Sequence, residues 1–198
     1  GISRYYSEVF SILSKKKDIE IVLPLYKSDN VYISKTQLLV NNRLLNSLYD
    51  ILSALKISTK TIRKKKSEKL LRKNFEENSY DLFVHTYYNP YFLNQLNGKP
   101  FVLTVYDMIH ELMPQYFEND PYNVVEFKSI LIKKASKIIA VSNNTKKDIL
   151  KFYPQINPDK IEVIYHGSSI KIEPNVKVNL PPSYILYVGS RADYKNFK

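Results

Sequence analysis

No cysteine occurs in the 198 residues, which excludes a disulfide framework, a thiol nucleophile and a thiolate metal site. Histidine is scarce. His85, His110 and His166 lie far apart and form neither an HxH nor an HExxH spacing, so no metal is expected. No apolar run approaches the ~20 residues of a membrane span, and no signal peptide precedes the first helical pattern, so the expected location is the cytoplasm. Acid is in short supply, with 19 Asp and Glu against 30 Lys and Arg. The resulting net charge of +11 points to an anionic partner, whether nucleic acid, lipid headgroups or a phosphorylated substrate. There are no internal repeats. The 44% hydrophobic and 25% charged content is that of an ordinary soluble globular chain, long enough to bury a core.

What is present centres on residues 101–117, FVLTVYDMIHELMPQYF. The first five are apolar or β-branched, as expected of a strand buried on both faces of a parallel sheet. Pro100 precedes them, where a missing N–H costs least. Tyr106, Asp107, His110 and Glu111 follow, four groups able to move protons or bind hydroxyls. Ligands of open α/β sheets bind beyond the carboxyl ends of strands, so this cluster is the leading candidate site. A structural reading competes with it: Asp107 capping a turn and His110 packed under the Pro114 loop.

The rest of the chain alternates strand and helix patterns. Tyr6, Val9, Phe10 and Leu13 recur at helical spacing after Ser3, an expected N-cap. Residues 18–26, DIEIVLPLY, read as a strand, and 36–57 as a helix with a break near Asn41 and Asn42. Strands are expected over 80–88, with His85 near the end as a satisfied core or strand-end histidine, and over 137–141, 160–165 and 184–188. Short and long helices are expected over 90–97 and 121–136. Another follows Ser142 to about Tyr153, where Pro154 and Pro158 end it; Ser142 reads first as its cap. Residues 168–182, with Pro174, Pro181 and Pro182, read as a linker. This order implies an α/β fold, a Rossmann-like parallel sheet flanked by helices, with right-handed crossovers.

One stretch breaks composition. Lys60, Arg63, Lys64, Lys65, Lys66, Lys69, Arg72 and Lys73 face a single acid, Glu68. Such a run is either a solvated face or a patch for anionic lipid headgroups. Both ends also look cut. The last strand pattern leads into Gly189, Arg191 and Lys195, the opening of a phosphate-holding helix, and stops. A second α/β domain is therefore expected to begin near Ser183.

In order, these segments resemble family-four glycosyltransferases of the two-domain GT-B architecture. Gly1-Ile2-Ser3-Arg4-Tyr5 is similar to the family's GG-I-x-R-Y loop from its second glycine. LTVYDMIHELMPQYF is similar to its T-x-H-D strand and loop, with Tyr106 where histidine is usual. KIIAVSNNTKKDILKFY, KIEVIYHGSS and YVGSRADYKNF follow at matching spacings. The resemblance implies residues 1–180 as an N-terminal acceptor-binding domain lacking its first strand. It implies residues 181–198 as a linker and the start of a truncated donor-binding domain. It further implies sugar transfer from a nucleotide-sugar with retention, to a glycan or lipid-linked acceptor in cell-surface polysaccharide or lipopolysaccharide synthesis.

By the same resemblance Asp107 and His110 are catalytic, and Arg191 and Lys195 hold the donor diphosphate. Gly1, Ser3 and Arg4 form an acceptor or phosphate loop, and Tyr106, Ser142, His166, Gly167 and Gly189 line the cleft. No cofactor or metal is expected. The basic run would meet the inner membrane surface. The family's acidic E-x7-E motif is absent from the chain, so the 198 residues alone are expected to be inactive. The alternatives from other classes are a basic nucleic-acid-binding protein, for which no recognised motif is present, and a non-catalytic sugar-binding domain.

Overall fold

The computed structural model describes residues 1–168, 179, 181–189 and 193–195. Its core is a four-stranded parallel sheet flanked by helices, the α/β fold expected from the alternating pattern. The strands are β1 (Phe83–His85), β2 (Phe101–Val105), β3 (Lys137–Ala140) and β4 (Ile161–Val163), in the order β1-β2-β3-β4. The chain packs as two compact units, Gly1–Leu103 and Thr104–Lys198.

In the first unit, α1 spans Ile2–Leu13, α2 Arg43–Ala54 and α3 Lys60–Glu76. The helix expected over 36–57 covers only Arg43–Ala54: Asn42 caps α2 by accepting the Leu45 N–H at 3.0 Å, and residues 36–42 before it are not helical. The core is aromatic. Phe92 is fully buried, with ring centroids 4.5 Å from His85, 4.6 Å from Phe83 and 5.1 Å from Phe101. Phe75 brings α3 onto this cluster, 5.3 Å from Phe83. Tyr6 anchors α1 by donating its hydroxyl to the His85 carbonyl at 3.2 Å. β1 pairs in parallel with β2, Phe83 opposite Phe101.

Two further expectations for this unit are corrected. Residues 18–26 form no strand. Pro24 interrupts the run and offers no N–H, and Leu25 bonds back locally to the Leu23 carbonyl at 2.7 Å. Ser3 is not the cap of α1: Gly1 is, and the Tyr5 N–H closes the first turn on the Gly1 carbonyl at 3.1 Å, placing Ser3 inside the helix. Residues 90–97 do give the expected short helix, as a 3-10 segment over Pro90–Gln95 with Asn89 as its cap.

In the second unit, α4 spans Ile109–Leu112, α5 Val124–Lys134 and α6 Asn143–Phe152. Ile138, Ala140 and Ile161 are buried on β3 and β4, with Leu131 and Ile132 of α5 and Ile149 of α6. β3 pairs in parallel with β4, and the Val141 N–H reaches the Val105 carbonyl at 3.4 Å. The expected strand over 184–188 is absent. Ile185 is 99% exposed, and among the described residues no strand pairs with it. An apolar run becomes a strand only when a neighbour completes its ladder. The expected linker lies largely outside the described residues.

Candidate functional site

The second unit gathers the residues that follow β2, β3 and β4 at one end of the sheet. Ser142, just past β3, caps α6 by accepting the Thr145 N–H at 3.1 Å, as its position predicts. Its hydroxyl also meets the Thr145 hydroxyl at 3.0 Å, and Thr145 in turn reaches the Tyr106 carbonyl at 3.5 Å. Tyr106 faces His166, three residues past β4, with ring centroids 6.3 Å apart. Thus Tyr106, Ser142 and His166 come together. Gly167 is exposed beside His166.

The turn after β2 carries the titratable cluster. Asp107 Oδ1 accepts the Ile109 N–H at 3.1 Å, so this exposed carboxylate does close a turn. The His110 ring packs 4.0 Å from Phe117. His110, Pro114, Gln115, Phe117, Glu118 and Val125 line an open depression of about 370 Å³. His110 Nδ1 is buried and makes no hydrogen bond among the described residues. The structural readings of Asp107 and His110 therefore hold, and His110 also edges a concave surface beyond a strand end.

Beneath the turn lies a fully buried ion pair. Lys128 of α5 donates to Glu111 Oε2 at 2.9 Å and to the Asp107 carbonyl at 3.1 Å. Asp120 begins α5, accepting the Val124 N–H at 2.7 Å and the Tyr122 N–H at 3.0 Å. Burial pushes its carboxyl up, but these two bonds, with His110 and Lys128 nearby, hold it below the ordinary carboxylate value. The sequence reading noted Glu111 without giving it a role and missed Lys128. Its signal was there: Lys128 occupies the apolar stripe of α5, four residues after Val124 and three before Leu131, all buried.

The remaining candidates are scattered. Gly1, Ser3 and Arg4 belong to the first unit, at the start of α1; Arg4 lies over the Tyr32 ring at 5.9 Å. Lys195 lies over the Tyr194 ring at 5.8 Å, and Tyr194 packs 5.5 Å from Phe117, next to the depression. Arg191 lies outside the described residues. Gly189 has φ +156°, at the margin of the region that favours glycine. Among the described residues no three His, Asp or Glu gather as metal ligands would, and no helix is long and apolar enough to cross a membrane.

In the first unit, Arg63 turns away from the expected lipid patch. Both its terminal nitrogens bond Asp29, at 2.9 and 2.5 Å. Lys60, Lys64, Lys65, Lys66, Lys69, Arg72 and Lys73 remain exposed along α3. The run is thus a helix, and most of it faces solvent.

A search of curated proteins gave no match. The family model described as Glycosyltransferase Family 4 matches residues 55–170, more than half of the chain, and takes in α3, β1 to β4, Asp107, His110, Ser142, His166 and Gly167. On that match, together with a parallel sheet whose strand ends converge on a polar cluster, the chain belongs to Glycosyltransferase Family 4.

Proposed function

We propose that this protein transfers a hexosyl group from a nucleotide-sugar donor to a glycan or lipid-linked acceptor, with retention, as part of a GT-B enzyme in cell-surface polysaccharide synthesis. The observation that carries the reading is the meeting of Tyr106, Ser142 and His166 beyond the carboxyl ends of β2, β3 and β4, with Asp107 and His110 on the turn that follows Tyr106. In the reaction, the bond between the anomeric carbon and the phosphate oxygen breaks, and the acceptor oxygen bonds to that carbon on the same face that the phosphate leaves, which keeps its configuration. The acceptor's proton leaves toward the Asp107 and His110 pair. Arg191 and Lys195 meet the charge that grows on the departing diphosphate, which needs preorganised cations more than covalent chemistry. Gly1, Ser3 and Arg4, at the start of α1, serve the acceptor side. The exposed lysines of α3 hold the enzyme at an anionic membrane surface, where a lipid-linked acceptor resides.

The test uses the full-length protein with a panel of UDP-, GDP- and ADP-sugars, reading sugar transfer by mass spectrometry and nucleoside diphosphate binding by calorimetry. Arg191→Ala and Lys195→Ala each remove a bond to a charged group worth about 1.5–3 kcal/mol, so each should weaken diphosphate binding roughly 10- to 150-fold. Unchanged affinity in both variants would move the diphosphate elsewhere. Turnover with inversion at the anomeric carbon would overturn the stereochemical assignment.

A further inference from the structure

α4 is a single turn of four residues, too short to hold itself in place. It nevertheless carries His110, and a buried side chain of α5 bonds it from outside. Lys128 Nζ donates at 3.1 Å to the carbonyl of Asp107, two residues before α4, and at 2.9 Å to the carboxylate of Glu111, within it. The lysine side chain is fully buried and that of Glu111 is 4% exposed. Glu111 Oε1 is also buried and accepts no hydrogen bond among the described residues. Taking two charges out of water is expensive, and a well-packed apolar pair often supports a fold as well or better. A buried pair at this cost, directly below the turn that bears Asp107 and His110, fits a role in geometry better than one in stability.

We propose that Lys128 is a positioning residue. Its ammonium clamps the Asp107 carbonyl and the Glu111 carboxylate together, and thereby sets the His110 ring against Phe117 at the edge of the depression. This rests on the reading of that cluster as the transfer site. Lys128 touches no reacting atom. It acts through the placement of His110 and Asp107, where a displacement of about 1 Å can cost on the order of 100-fold in rate.

The experiment compares full-length wild type with Lys128→Met, Glu111→Leu and the double variant. Lys128→Met alone strands a buried carboxylate and should lower Tm steeply, whereas Glu111→Leu/Lys128→Met removes both charges and should recover most of that Tm. Turnover is read as nucleoside diphosphate released from whichever sugar of the UDP, GDP and ADP panel the wild type uses. In the double variant the donor KM should stay within about twofold while kcat falls about 10- to 100-fold. Hydrogen exchange at the amides of Ile109 to Leu112 should accelerate about tenfold or more. Recovery of kcat together with Tm, or unchanged exchange, would overturn the proposal. Should the apolar pair fail to fold, Glu111→Gln/Lys128→Gln carries the same comparison. If the wild type transfers no sugar at all, the functional reading fails, and the exchange measurement still decides whether Lys128 holds the turn.

Discussion

The ring of Tyr106 lies nearly parallel to that of His166, with 22° between planes and 6.3 Å between centroids. One residue follows β2 and the other lies just beyond β4, so the contact reaches across the strand end of β3. That separation is within the usual range for aromatic pairs, and it closes one side of the polar cluster. Tyr106 stands where the resembling family more often has histidine. On the function proposed above, proton transfer at this end of the sheet would fall to the groups next along the turn.

Asp107→Asn is the sharpest probe of that chemistry. Asparagine Oδ1 can still accept the Ile109 N–H, now at 3.1 Å, so the turn survives while the charge is lost. In the full-length enzyme kcat should fall about 10²- to 10⁴-fold for Asp107→Asn or for His110→Ala, whichever group carries the proton, with Tm nearly unchanged for Asp107→Asn. Steady-state kinetics and thermal melts check this. Full activity in both variants would remove the pair from the mechanism.

His85 should make the fold sensitive to mild acid. Burial lowers its pKa to about 4, and the Asn89 N–H donating to its Nε2 at 3.2 Å requires that nitrogen to be unprotonated. The unfolded chain protonates His85 at ~6.5, so between the two values the unfolded state binds more protons. Stability from this residue is therefore complete above about pH 6.5 and is lost as pH falls toward 4, by about 3 kcal/mol in all. Denaturant titrations at pH 7 and 4.5 should show the loss. His85→Gln should remove this component, and equal acid sensitivity in wild type and variant would refute it.

Ser142 should contribute through its cap. Its hydroxyl accepts the Thr145 N–H at 3.1 Å at the start of α6. Ser142→Ala is expected to cost about 1 kcal/mol, whereas Ser142→Asp should retain most of the stability. In a chain of this size 1 kcal/mol corresponds to about 2–4 °C in Tm, readable by calorimetry. A Ser142→Ala variant as stable as wild type would show that Thr145 or water replaces the cap.

The α3 lysines should draw the protein to anionic bilayers. Lys64, Lys65 and Lys66 are exposed, and α2 in the same unit carries exposed Leu44, Leu48, Ile51 and Leu55 at helical spacing. At about 1 kcal/mol per basic residue near the surface, half of the exposed set gives useful binding, weakened by salt. Co-sedimentation should occur with phosphatidylserine vesicles and vanish with phosphatidylcholine ones. It should drop sharply when Lys64, Lys65 and Lys66 become glutamate. Because Arg63 is held by Asp29, it is left intact as the structural member of the run. Equal behaviour with both vesicle types would leave the run as ordinary solvated surface.

Local signals in the sequence proved dependable where the structure itself is local. The Ser142 cap and the stop of α6 near Pro154 rest on neighbours a few residues apart, and both are found. The failures share a different cause. Residues 18–26 and 184–188 have strand-like composition, but a strand is a property of a pair, and neither run has a ladder partner among the described residues. Pro24 adds a missing donor to the first. Arg63 looked like one cation among eight until folding put Asp29, distant in sequence, within reach of its guanidinium.

The sequence by itself determined the class of fold: alternating apolar runs dictate a parallel sheet between helices, and the polar residues after 105, the candidate site, fall beyond a strand end by connectivity alone. It could not determine which side chains meet there. Lys128 and Glu111 are 17 residues apart, on separate helices, and nothing in their spacing requires a contact. Only the packing of α5 against the turn decided that a lysine on an apolar stripe would be buried and that oxygens of Asp107 and Glu111 would help to satisfy its charge.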